Sequence, residues 1–357
     1  MEDKSANKTC NCDERSMEFR ECETVQLNSF FNVEEVMDFI TTNRHNTRYS
    51  NEKLGKYKKV LNRNKCYPNV GTKKQFSVIM KDLYKNGLFK YFSRLIKIIQ
   101  STLRRKGAKD LLDYFTNVDI NETDDVHYSY LAKYIKNNDF YLFKRETSQP
   151  VFIHNMIKTV MKKHKTRIKK FMDIGCGNGW KTEKIGSFFN LDSKNIVCAD
   201  IEKWFSYNNN KRSNKKVTQF AIPEKGRIEY PEKSVSLVTI IHVIHHWCYD
   251  TTDEYIERMK SIYDMLEDNG MVVIVEHDIF TVEDACLVDI EHALYEVIKD
   301  DGKKFYKEYQ SRFLNFIELE IIMKKAGFKT VMFEYYTGTI DDISVPDKSY
   351  VVIYKKI

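Results

Sequence analysis

Apolar and polar positions divide this 357-residue chain into two unlike halves. From Ser29 to about Leu142, apolar residues recur at three- and four-residue spacing. The pattern is clearest at Leu88, Tyr91, Phe92, Leu95, Ile98 and Ile99, which form the stripe of an amphipathic helix packed on a core. Breaks fall at Tyr67-Pro68-Asn69-Val70-Gly71 and at Gly107. Beyond Ile168 the rhythm changes to short continuous apolar runs, such as Ser234–Ile241 and Met271–Val275, the signature of strands buried on both faces. Phe316–Phe328 reads as a helix closed by Gly327, and Thr330–Tyr336 with Tyr350–Tyr354 alternate like the arms of an antiparallel hairpin. The pattern predicts a polar, disordered tail over 1–28, a helical domain over 29–149 and an α/β domain over 150–357. Residues 137–149 read as a connector, and 150–165 as a basic helix leading into the first strand.

The most informative stretch is Asp173-Ile174-Gly175-Cys176-Gly177-Asn178-Gly179, where an apolar run meets a helix-like segment. Glycines in a strand-to-helix turn allow positive φ and let backbone N–H groups approach a ligand, while the following helix offers its positive end. The spacing is G-x-G-x-G, not the G-x-G-x-x-G of the dinucleotide fingerprint. An acid, Asp200, closes the next strand, where a carboxylate can accept both hydroxyls of a ribose.

These residues resemble the cofactor-binding motifs of class I (Rossmann-like) S-adenosylmethionine (AdoMet)-dependent methyltransferases. Ser234–Trp247 resembles the family's fourth-strand motif, which ends beside the transferred methyl, and Met265–Glu276 its passage from helix through glycine to fifth strand. The resemblance implies an α/β fold, a Rossmann-like class I methyltransferase sheet with a helical N-terminal extension, and AdoMet as cofactor. It implies a cofactor site of Asp173, Gly175, Cys176, Gly177, Asn178, Gly179, Asp200, Ile201, Phe220 and His242. Two departures stand out. The acid that often follows the third strand is replaced by Gln219–Glu224, so Phe220 or Ile222 is left to pack on the adenine. The Lys-Asp-Lys-Glu, Asn/Asp-Pro-Pro-Tyr and Glu-x-x-Glu-His signatures of particular acceptor types are missing.

Methyl transfer from a sulfonium needs in-line positioning above all, and a base only where the acceptor holds its proton tightly. The candidates lie at strand ends: His246, Glu276 and His277 for catalysis, with Trp247, Asp278, His292 and Tyr295 for the acceptor. A buried strand that ends in Glu276-His277-Asp278 is expected to turn two of the three toward a cleft. No metal is expected, since the motif that would hold one is missing.

Composition narrows the setting. No apolar run reaches the roughly 20 residues of a membrane helix, and the polar start lacks a secretory signal, so a cytoplasmic location is expected (the host cytoplasm for a viral protein). The eight cysteines are then expected to be reduced thiols, and the Cys10/Cys12 spacing is too short for a zinc knuckle. Net charge is +7, concentrated in runs such as Lys56–Lys59, Arg104–Lys106 and above all Lys162–Lys170, with aromatics interleaved among them. RNA and a small molecule are the acceptor classes this leaves open, beside a non-catalytic binding subunit.

Overall fold

A computed structural model describes residues 24–27, 69–73, 142–202, 217–279, 310–336 and 349–356, with single positions 38 and 42. Fourteen elements cover these spans. They are β1 (Thr24–Leu27), β2 (Asn69–Lys73), α1 (Leu142–His164), β3 (Phe171–Ile174), α2 (Trp180–Phe188), β4 (Ile196–Ile201) and β5 (Thr218–Ile222). After them come β6 (Val235–Ile241), α3 (Thr252–Met265), β7 (Leu266–His277), β8 (Gln310–Arg312), α4 (Phe316–Lys325), β9 (Phe328–Tyr336) and β10 (Ser349–Lys356).

Seven strands form one sheet in the order β5-β4-β3-β6-β7-β10-β9. The five from β3 to β7 pair parallel, and β10 runs antiparallel between β7 and β9. Strand order reverses between β4 and β6 on either side of β3, so the C-terminal ends of β3, β4 and β6 open a crevice where such sheets bind ligands.

Alternation along each strand explains why helices cover both faces. Met172, Ile174, Val238, Ile240, Val272, Ile274 and Val352 belong to one core with residues of α3 and α4. Their neighbours Phe171, Leu237, Ile241, Val273, Val275 and Val351 belong to another, with Ile153, Met156, Ile157 and Val160 of α1 and Ile185 of α2. Each buried aliphatic side chain contributes about 1.5–3 kcal/mol. Capping boxes start α3 at Thr251/Glu254 and α4 at Asn315/Glu318, satisfying amide donors that would otherwise lack partners.

Two expectations meet a different local structure. Thr24–Leu27, within the span read as a tail, pairs antiparallel with Asn69–Lys73, read as a break, and Gln310–Arg312 adds a third strand. Pairing across such sequence distances leaves no local pattern to read. Helix α1 begins at Leu142, inside the expected connector, and continues through Pro150. The stripe over 83–103 and the basic runs before 110 lie outside the described residues.

Candidate active site

The turn after β3 is built from three left-handed glycines: Gly175 (φ 72°), Gly177 (φ 56°) and Gly179 (φ 73°). Main-chain hydrogen bonds tie it to β4. Gly175 N donates to Ala199 O at 2.7 Å, and Gly177 N donates to Asp200 Oδ2 at 2.8 Å. Gly179 caps α2. The first two glycines serve different ends. A Cβ on Gly175 would lie 2.3 Å from Cγ2 of Val243, whereas one on Gly177 would meet nothing within 4 Å. Gly175 therefore lets the loop pack against the turn after β6, and Gly177 faces open space.

Asp200 ends β4 with Oδ1 accepting from Ile201 N at 2.8 Å and Oδ2 from Gly177 N. Burial pushes its pKa up to about 6, against the pull of those two amide donors. Asp173 has no free oxygen facing the crevice: it is buried, and Thr182 Oγ1 and Thr239 Oγ1 donate to it at 2.6 and 2.5 Å. It pins α2 and β6 to β3. Asn178 Oδ1 accepts from Trp180 N at 3.3 Å, a turn that leads into α2.

The cysteine expectation is corrected here. Cys176, in the centre of the loop, is joined by a disulfide to Cys198 of β4, with Cα atoms 5.4 Å apart. The two are 22 residues apart, and only the parallel pairing of β3 with β4 brings them together.

Across the crevice, β6 is followed by His242, held at φ 56°, and a 3-10 turn carries Ile244–His246. His242 Nε2 lies 3.0 Å from Nε2 of Gln149 on α1, and Lys181 Nζ donates to Gln149 Oε1 at 3.0 Å. Gln149 thus links the end of β6 to the first turn of α2. Neither it nor Lys181 stood out in the sequence, because nothing local signals that α1 crosses this rim.

Glu276 sits beneath the turn rather than in it. Oε1 accepts from Val243 N at 2.8 Å and Ile244 N at 2.7 Å, and Oε2 from His245 Nδ1 at 2.8 Å and His277 N at 3.2 Å. Burial raises its pKa, while the charges of His277 and His246 and the amide donors favour the ionised form. The expectation that two of the three ionisable residues ending β7 open into the cleft is not met. Glu276, His277 and Asp278 are 3%, 8% and 4% exposed, and Asp278 Oδ1 accepts from Phe316 N at the start of α4. The strand end is paired internally: Glu276 holds the turn after β6, and Asp278 the start of α4.

His246 is exposed, its ring 4.0 Å from that of His245, and the His277 ring lies 4.6 Å from that of His242. Trp247, expected to touch the acceptor, instead packs in the core against Tyr249 and Tyr255 with the Arg258 guanidinium 5.3 Å over its ring. Phe220 is half-buried edge-on to Tyr230, on the strand at the sheet margin, and Ile201 borders the core beside Asp200. His292 and Tyr295 lie outside the described residues. Among the described residues, His242, Glu276 and His277 bring potential ligand atoms within 4.8 Å of one another. The four donors already on Glu276 compete directly with any cation there, so its carboxylate fits a structural anchor better than a metal ligand.

A methyltransferase domain model matches residues 172–274, from β3 to β7, the span that holds the glycine loop, Asp200 and the His242–His246 turn. Over that span the chain carries a methyltransferase domain. It is similar to a probable S-adenosylmethionine-dependent methyltransferase of Saccharomyces cerevisiae, 25% identical over 197 residues. That match takes in 54% of this chain and 62% of the yeast protein. Among solved structures, an S-adenosylmethionine-dependent methyltransferase from Mesorhizobium loti shares 14% identity at a TM-score of 0.38, covering 53% of this chain and 91% of that one. Human N-acetylserotonin methyltransferase shares 13% at 0.37, covering 53% and 48%. These two scores are too low to lend weight; the domain match and the strand order carry the assignment. Among the described residues, no helix is long and apolar enough to cross a membrane.

Proposed function

We propose that the chain transfers the AdoMet methyl group to an acceptor held over the crevice between the glycine loop and the His242–His246 turn. The single observation that carries this is the loop itself. Of three left-handed glycines, Gly175 and Gly177 donate to β4, and Gly177 faces open space next to a carboxylate near a strand end. The cofactor, when bound, supplies a methyl group on a sulfonium. What remains for the protein is to hold, orient and shield. The loop would hold the methionine end, the Asp200 carboxylate the ribose hydroxyls, and Lys181 with Gln149 would face the methionine carboxylate. His246 is the side chain we assign to the acceptor side, with His242 beside it after β6 and Glu276 fixing the turn.

For the acceptor we favour a small molecule over RNA. Within helix α1, the stretch from Gln149, beside His242, to His164 rises on the order of 22 Å at about 1.5 Å per residue. The basic run of 162–170 therefore lies at the start of β3, the end of the sheet away from the crevice. What supports the small molecule is that this charge is not at hand where the methyl would be.

Calorimetry with S-adenosylhomocysteine tests the cofactor reading: binding is expected, and its absence would overturn it. Labelled AdoMet offered to metabolite, RNA and protein pools tests the acceptor. Label in the metabolite pool is expected, and label in RNA alone would replace our choice.

A further inference from the structure

We propose that Cys176 and Cys198 form a redox-active thiol pair whose oxidation state sets the affinity of the glycine loop for its nucleotide. The proposal rests on the reading of that loop as the AdoMet site. Cys176 stands between Gly175 and Gly177, both in the left-handed region, so a disulfide at this point holds the most conformationally free part of the turn. Its partner Cys198 lies two residues before Asp200 on a buried strand. One covalent link therefore joins the two halves of that site, the main-chain donors of the loop and the carboxylate of β4.

The remaining ties between them are few: Gly175 N and Cys176 N both donate to Ala199 O, at 2.7 and 3.3 Å, and Gly177 N donates to Asp200. With the disulfide opened, those hydrogen bonds are what still ties the three-glycine turn to β4. The nucleotide must then meet the cost of ordering it, and affinity falls. Cys176 is 8% exposed and neighbours the open space at Gly177, so a small thiol reagent has a way in through the crevice. Oxidation consumes one low-molecular-weight disulfide such as oxidised glutathione: two protein thiols become one S–S bond, and two molecules of the small thiol leave with the protons. A dithiol reverses it.

The coupling is reciprocal. If the disulfide form binds the nucleotide more tightly, bound nucleotide must make the disulfide harder to reduce by the same factor. That requirement separates this pair from a bond that merely stiffens the fold.

The experiment uses the full chain. S-adenosylhomocysteine affinity is measured by calorimetry after treatment with oxidised glutathione and again after a dithiol, with alkylation and peptide mass reporting the state of both cysteines. We expect the reduced form to bind about tenfold more weakly, and saturating S-adenosylhomocysteine to raise the dithiol concentration for half-reduction by the same factor. Cys198→Ser should bind like the reduced form and ignore the dithiol, its fold checked by circular dichroism; the redox titration of the unmodified chain stands even if that variant fails to fold. Equal affinity in both states overturns the proposal while leaving the AdoMet reading intact. So do two alkylated thiols after oxidation. Absence of binding in both states overturns the AdoMet reading, and this proposal with it.

Discussion

His245 Nδ1 lies 2.8 Å from Glu276 Oε2, with the two side chains 1% and 3% exposed. A carboxylate buried beside an imidazole at the end of one strand thus holds the turn that follows another. Through Val243 N and Ile244 N the same carboxylate also fixes Val243, against which Gly175 packs. The two walls of the crevice are therefore coupled through one buried residue.

Replacing Glu276 by Gln should expose that coupling. One oxygen becomes an amide donor facing donors, so the buried network loses about 1–3 kcal/mol. Denaturant unfolding should show a loss in that range, with kcat reduced more than cofactor affinity. Unchanged stability would remove the anchoring role.

The glycines should separate stability from binding. Gly175→Ala brings a methyl within 2.3 Å of Val243 and strains a left-handed backbone, so it should lower the melting temperature and distort the crevice. Gly177→Ala carries only the backbone strain of about 1 kcal/mol, since its Cβ meets nothing within 4 Å. Its main effect should be on S-adenosylhomocysteine affinity, read by calorimetry. The reverse pattern would assign the open space to something other than the nucleotide.

Asp200 makes binding depend on pH. With its pKa pushed up to about 6, the carboxylate that would accept ribose hydroxyls is protonated in acid, so affinity should weaken as pH falls through that value. Stability has the opposite sign. The folded pKa lies above the ordinary 3.8, so the folded state holds the extra proton between about pH 4 and 6. The free protein then loses on the order of 3 kcal/mol from this group as pH rises through the window. Asp200→Asn should abolish both trends. A binding profile flat between pH 5 and 7.5 would dismiss the ribose role.

Trp247 should matter to the fold and not to the acceptor. Trp247→Ala empties a core site and should cost about 3–5 kcal/mol, measured by denaturant unfolding. Trp247→Phe should leave acceptor KM within about twofold once the acceptor is known, because the ring packs on Tyr249 and Tyr255. A large rise in KM would return it to the site.

The alternation of apolar runs and helical stripes from Ile168 onward already reads as the class of fold, and the glycine triplet already marks the strand-to-helix turn that the structure ties to Asp200. Both are local signals: strand burial follows from composition, and a left-handed turn demands glycine at the place where it occurs. The roles of individual polar residues were less legible. Glu276 and Asp278 look like cleft residues until the turn after β6 and the start of α4 engage them, and Trp247 looks like an acceptor contact until Arg258 and two tyrosines surround it.

By itself, then, the order of residues determined a parallel α/β domain and the turn at which it offers main-chain donors, because periodicity and backbone freedom are properties of neighbours along the chain. Only the tertiary structure decided which ionisable groups are anchors, that Gln149 and Lys181 reach the crevice, and that Cys176 meets Cys198. Those depend on parallel pairing and helix crossings between segments tens of residues apart, and burial there decides whether a charge is a tool or a pin.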